Sequence, residues 1–243
     1  MSEAARSGFR TEDEVARALC NWREDADARR WIGRMGLEGI DVRAGTTRSI
    51  HPSPKADVLV YGGPSVVGIS VKKFRGGGFN QIDKRWVREY RTMWGIPDDV
   101  AYTLRKFCGE RGCRPVDLGV RDTRDHRRFF LTEMDPGEAE RVAGFFNSNA
   151  DRMIRDMLGG MSRHKADYIL AIEKEGGRTV GSNIVDLDTA VGLYTGAARV
   201  TRRGSLRIGG VTVQRKGGDK GGPYSRMLQF KFSPRRIIEA GSG

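Results

Sequence analysis

Asp57, Ser70 and Lys72 are the residues of this chain whose types and spacing suit a chemical step. Asp57 opens the apolar run Val58-Leu59-Val60, and Ser70-Val71-Lys72 closes a second one beyond Gly62-Gly63-Pro64. Two such runs around a tight turn read as a β-hairpin. Side chains alternate along a strand, so Ser70 and Lys72 share one face while Ile69 and Val71 pack on the other. A hairpin of this kind brings an acid and a lysine together at one edge of a buried sheet. In-line cleavage of a phosphodiester needs a hydroxide, a stabiliser for the phosphorane oxygens and help for the leaving oxygen. A magnesium ion held by one or two carboxylates supplies much of this, because Mg²⁺ takes oxygen ligands and keeps several waters. A nearby lysine stabilises developing charge or orients the attacking water. A bland alternative stands beside this one, with Asp57 as a turn residue and Lys72 as a solvated strand cation.

The elements that must position these residues are legible in part. Thr11 with Glu14 forms a capping box ahead of Val15, Ala18, Leu19 and Trp22, which predicts a helix starting there. A second helix is expected over 26–35, ending at Gly36. After the hairpin comes a glycine-rich loop, Gly76-Gly77-Gly78-Phe79-Asn80-Gln81, and then a helical pattern over 82–93. Residues 108–128 read as an exposed loop, and helices are expected over 136–146 and 149–158. From His164 onward the pattern is strand-like, over 167–172, 206–208, 211–213 and 228–232, with glycine-rich turns typical of a meander. Lys165-Ala166-Asp167 repeats the tripeptide Lys55-Ala56-Asp57. Its nearest following acid, Glu173, is too close for a strand to fold back, so Asp167 reads as structural. The expected fold class is α/β: a mixed central sheet flanked by helices, with a β-rich C-terminal lobe. One domain over 1–243 is expected, with a catalytic core at about 1–175 and β-hairpins at about 199–235.

Forty-three Lys and Arg against thirty-one Asp and Glu give a formal net charge of +12. Counterion release makes such a surplus the footprint of a nucleic-acid partner. The cations cluster at 72–75, 199–207 and 215–231, beside glycines and predicted strands, as the lining of a cleft would. No apolar run approaches the roughly 20 residues that span a bilayer. The N-terminal stretch lacks a signal-peptide core, so a cytoplasmic protein without a membrane partner is expected. Cys20, Cys108 and Cys113 are an odd count; Cys108 and Cys113 with His126 make only a weak zinc pattern, and reduced thiols are expected. His51, His126 and His164 take no catalytic role.

Three blocks carry a resemblance. They are residues 75–94 with the core Gly78-Phe79-Asn80-Gln81-Ile82-Asp83-Lys84-Arg85-Trp86; Gly8-Phe9 through Trp22, with Trp31 and Met35-Gly36; and Val211-Thr212-Val213-Gln214-Arg215-Lys216-Gly217-Gly218-Asp219 followed by Met227-Leu228-Gln229-Phe230-Lys231. In this order and spacing the chain resembles the HinP-type, GCGC-cutting type II restriction endonucleases, in the MspI-like branch of the PD-(D/E)XK nucleases. The resemblance implies Mg²⁺-dependent hydrolysis of both strands of double-stranded DNA at a short G·C palindrome, leaving 5′-phosphates. It implies a companion cytosine methyltransferase, and an enzyme acting as a monomer or homodimer. Carried over, Asp57 is the acid that holds the metal and Lys72 the lysine. The position two before the lysine is a carboxylate in most of the group and an amide in this branch; here it is Ser70, a poor direct ligand. Position 56 also departs, with alanine where the branch has serine. Related nucleases place a helix-borne acid beside the metal, so Glu12 is expected as second carboxylate, Glu14 being taken by the capping box.

The same resemblance places DNA contacts on Asn80, Gln81 and Lys84. A plain loop with Asn80 capping the next helix is the alternative. In the C-terminal hairpin Gln214, Arg215 and Lys216 are expected at the duplex, with Arg215 gripping guanine in the major groove and Lys231 on phosphate. Two rival functions stay open: the same fold with a different palindrome, and a DNA-binding protein that has lost catalysis through Ser70. A general RNA-binding protein fits less well, because exposed aromatic platforms are few.

Overall fold

The two apolar runs around Gly62-Gly63 pair as expected, and the rest of a sheet forms around them. The computed structural model describes residues 3–50, 54–110, 129–161, 164–217 and 222–241. His51, Cys113, His126, Gly218, Asp219 and most of the loop expected over 108–128 lie outside the described residues. The chain divides into two compact units, one of residues 1–80, 154–193 and 233–243, the other of 81–153 and 194–232.

In the first unit the strands are β1 (Val42–Thr46), β2 (Val58–Gly62), β3 (Ser65–Phe74), β5 (Tyr168–Glu175) and β6 (Arg178–Asp186). They lie in the order β1-β2-β3-β5-β6. The β3–β5 pair is parallel and the other pairs are antiparallel, which makes the sheet mixed. Helices α1 (Glu3–Cys20) and α2 (Ala26–Arg34) cover it, burying Val15, Leu19, Trp31 and Ile32 against Val58, Val60, Ile69 and Leu170. Gly68 lets β3 and the start of β5 approach closely. A Cβ there would sit 2.0 Å from the Lys165 carbonyl oxygen, and the Gly68 N–H donates to Asp167 Oδ2 at 2.9 Å. Asp167 is therefore a clasp between strands, the structural role expected of it.

The second unit holds β4 (Asn80–Arg85, from Gln81), β7 (Ala198–Val200), β8 (Leu206–Ile208), β9 (Val211–Arg215) and β10 (Leu228–Phe232), in the order β4-β10-β9-β8-β7. One face is apolar. Phe230 meets Tyr90 and Trp94 edge-on at 5.2 and 5.5 Å, and these two stack at 4.5 Å. Such pairs each add about 0.5–1.5 kcal/mol beyond area burial. Tyr90 and Trp94 come from α3 (Val87–Trp94), which is followed by α4 (Asp98–Cys108).

Several local expectations need correction. Thr11 does not start a helix: α1 runs through it, and its hydroxyl back-bonds to the Ser7 carbonyl at 3.1 Å. Good helix formers upstream outweigh the capping pattern, and a threonine hydroxyl has this internal alternative. The helix expected over 82–93 is instead β4 followed by α3, with Glu89 accepting from the Trp86 N–H at 2.9 Å to set the boundary. The helices expected over 136–146 and 149–158 are one, α5 (Pro136–Gly159). Asn147, in the gap between the two expected helices, stays helical while its side chain bonds both backbone groups of Ala198, at 2.6 and 3.3 Å. Cys108 ends α4 rather than opening a loop. Strands β1, β6 and β7, with α4 and α6 (Leu187–Tyr194), had not been expected.

Candidate active site

Asp57 stands at the entry of β2, its backbone fixed on both sides. Its N–H donates to the Ile69 carbonyl at 2.8 Å, and its own carbonyl accepts from Thr47 N–H at 3.1 Å. Strand alternation on β3 then directs Ser70 and Lys72 towards it. Oδ2 of Asp57 accepts from the Val71 N–H at 2.7 Å and from Ser70 Oγ at 3.1 Å, and Lys72 Nζ lies 3.6 Å from the same oxygen. All three contacts fall on one oxygen, Oδ2. Ser70 is fully buried, so its hydroxyl aims the acid. A hydrogen bond to a charged group contributes about 1.5–3 kcal/mol.

Glu12 comes from α1, with its side chain 16% exposed and Oε2 at 3.3 Å from Arg48 Nε. Burial raises its carboxyl above the ordinary value, and the negative charge of Asp57 raises it further; Arg48 and Lys72 pull it down. Glu12 feels the charges of both Asp57 and Lys72, and Glu12, Asp57, Ser70 and Lys72 all belong to the first unit. Glu14 is not held in a capping box, but pairs with Lys174 at 2.6 Å. Asn80 does not cap a helix; its Nδ2 donates to the Lys73 carbonyl at 2.8 Å and closes the glycine loop. Two carboxylates are an oxygen-only donor set suited to a hard divalent cation that keeps waters. Among the described residues no group of three or more His, Cys, Asp or Glu forms a metal cage.

The polar face of the second sheet carries the other candidates. Register places Gln229 opposite Gln214 and Lys231 opposite Thr212, then Thr212 opposite Arg207 and Arg207 opposite Arg199. Gln229, which sequence reasoning passed over, is 6% exposed and joins its neighbours: its Nε2 donates to Gln81 Oε1 at 2.6 Å, and its Oε1 accepts from Gln214 Nε2 at 3.4 Å. The signal was present in the alternation of Leu228, Phe230 and Phe232, which turns Gln229 and Lys231 together onto the polar side. Lys84 is exposed but alternates with Gln81, so it sits on the Ile82 side of β4. Lys216 is half-buried at the end of the hairpin strand. Arg215 does not share the face of Gln214. It is buried with Val211 and Val213, and its Nε donates to the Ser225 carbonyl at 2.9 Å.

The family model of the R.HinP1I restriction endonuclease matches residues 58–238. The chain belongs to that family. It is a type II restriction endonuclease, a site-specific deoxyribonuclease. The matched span contains Ser70, Lys72 and the glutamine face, while Glu12 and Asp57 precede it. Among solved structures the endonuclease is similar to the restriction endonuclease MspI, crystallised in complex with its cognate DNA. The TM-score is 0.59 at 17% identity, over 84% of this chain and 76% of that one. At that identity the likeness concerns the fold, a five-stranded mixed sheet flanked by helices. No curated protein sequence matches significantly.

Proposed function

We propose that this endonuclease hydrolyses both strands of double-stranded DNA at a short G·C palindrome, GCGC, with Mg²⁺, leaving 5′-phosphates. The observation that carries this reading is the convergence of Ser70, the Val71 N–H and Lys72 on one oxygen of Asp57, with Glu12 nearby. It is the corner of a PD-(D/E)XK site in which serine replaces the usual carboxylate or amide. Asp57 through Oδ1 and Glu12 through Oε1 would hold Mg²⁺, which supplies Lewis acidity when bound. Ser70 aims Asp57 and ligates nothing. Lys72, its side chain 15% exposed, places a cation where charge develops on the phosphoryl oxygens or a water must be oriented.

Site reading falls to Gln81, Gln214 and Gln229 with Lys216, while Lys231, Arg207 and Arg199 meet phosphate. Amides present both a donor and an acceptor to a base edge, whereas cations on phosphate set register without sequence information. Arg215 supports the hairpin from below instead of offering its guanidinium to a base. The chain works as a single restriction endonuclease domain in the cytoplasm. A companion cytosine methyltransferase protects the host sites. One chain supplies one active site, so a double-strand cut takes either a homodimer or two successive nicks by a monomer.

Digestion of a fully sequenced, unmethylated plasmid with Mg²⁺, with every cut end mapped, tests the reading. Cuts confined to GCGC are the expected result. Cuts at another palindrome keep the reaction and overturn the specificity. Specific binding without cuts, in Mg²⁺ or Mn²⁺, means that serine at position 70 has cost the chemistry.

A further inference from the structure

Arg48 lies just beyond β1, and its guanidinium is held against α1. Its NH2 group donates to the Phe9 carbonyl at 3.1 Å and pairs with Asp13, and its charge lies over the Phe9 ring at 5.1 Å. Nε faces Glu12 Oε2 at 3.3 Å. The residue before it, Thr47, is buried and bound to the catalytic strand: its N–H donates to the Asp57 carbonyl at 3.1 Å and its Oγ1 to the Ala56 carbonyl at 2.7 Å. Thr47 thus grips the backbone at Asp57, and the next side chain grips Glu12.

We propose that Arg48 is a positioning residue of the metal site, holding Glu12 by one oxygen so that the other, Oε1, faces a divalent cation beside Asp57. The inference rests on the reading of Asp57 and Glu12 as the metal-holding pair. A glutamate is long, and fixing it costs up to about 1.5–2 kcal/mol of rotamer entropy. Asp57 also repels it. Left to itself, the Glu12 side chain would turn to solvent, and a binding cation would have to recover both costs. Arg48 meets them in advance. With Lys72 it sets two positive charges among Glu12, Asp57 and Asp13, so the carboxylates stay together before a cation arrives. Asp13 and Phe9 keep the guanidinium anchored once the cation takes a share of Glu12.

The test is calorimetric titration of the full chain with Ca²⁺ in the absence of DNA, which reads binding without turnover. Arg48→Ala is expected to weaken Ca²⁺ binding by about tenfold or more, the usual range for losing a partner that orients a metal ligand. In cleavage assays the defect should lie in the Mg²⁺ concentration needed for half-maximal rate. Because Arg48 acts through Glu12, adding Arg48→Ala to Glu12→Gln should weaken Ca²⁺ binding no further. Unchanged or tighter Ca²⁺ binding by Arg48→Ala would overturn the inference, as would an equal loss in both backgrounds. Loss of DNA affinity alone would make Arg48 a phosphate contact and overturn it too. A wild-type chain whose Ca²⁺ binding ignores Asp57→Ala would instead remove the proposed metal site itself, a failure recognisable before Arg48 is touched.

Discussion

The corner at Asp57 and the glutamine face at Gln229 are both products of strand alternation, yet they handle polarity in opposite ways. At the corner, charges of both signs are crowded into a half-buried space and pair with one another: Asp57 with Lys72, Glu12 and Asp13 with Arg48. At the face, neutral amides bond one another, and the charges beside them, on Lys231, Arg207 and Arg199, have one sign. A mixed-sign cluster with carboxylates in excess suits a site that must hold shape and accept a cation. Positive charge around amides suits a surface that must meet phosphate and read base edges. If the corner carries the reaction and the face the recognition, as proposed, the two are separable, and substitutions should divide cleanly between rate and site choice.

The largest expected effect is at the corner. Lys72→Ala or Asp57→Ala should lower the cleavage rate by at least about 10²–10³-fold, the usual cost of removing one group that stabilises the transition state. Binding to the site, measured by gel shift in Ca²⁺, should persist. A variant that loses binding and rate together would break the separation. At the face, Gln229→Leu should do the reverse. It removes the bonds to both Gln81 and Gln214, and should relax discrimination against single-base variants of the site by about 1–3 kcal/mol. The rate at the preferred site should fall much less. Cleavage of a panel of substituted duplexes reads both quantities.

Arg215 sharpens the comparison from a third direction. As a residue that bonds the Ser225 carbonyl beneath the hairpin, it should cost stability when replaced. Arg215→Ala is expected to lower stability by about 1.5–3 kcal/mol, through loss of a charged donor's bond to the Ser225 carbonyl, which keeps the Gly217 N–H at 3.0 Å. Thermal denaturation without DNA would show the loss. Normal stability with relaxed specificity would return Arg215 to the role of a base reader.

The sequence made the corner more legible than the face, for physical reasons. Asp57, Ser70 and Lys72 sit on one hairpin, where alternation and a tight turn decide geometry locally. Three strands separated by long stretches of chain build the face, and no local pattern announces that Gln81 will meet Gln229. Arg215 illustrates the limit: the run Val211-Thr212-Val213-Gln214-Arg215 alternates throughout, and alternation alone would have buried Arg215 with the valines. Expectation followed its charge instead. The gap left around Asn147 and the helix start expected at Thr11 fail alike, because a polar side chain that favours caps in isolation has a tertiary or back-bonding partner here. Strands β1 and β6 were missed because Gly45 and Gly181 interrupt runs that pairing with β2 and β5 holds extended.

The smallest effect expected at the corner is also the one whose sign is most telling. Glu12 holds its proton more tightly in the folded chain than an ordinary glutamate does, chiefly because burial penalises its charge. A carboxyl raised in this way lets the native state bind protons that the unfolded chain has released. Its contribution to stability therefore falls as pH rises from below the ordinary carboxylate value through the raised one, and the cost is complete above it. Glu12→Gln removes that titration. Without divalent ions, the variant should melt at a higher temperature than the wild type at neutral pH, and the gain should vanish in acid, where Glu12 is already protonated. With Mg²⁺ present the order should reverse, because the wild type alone gains the full binding energy of the cation. A neutral-pH loss in metal-free buffer would mean that the Arg48 pairing outweighs the desolvation of Glu12, making the corner an ion pair first and a metal site second.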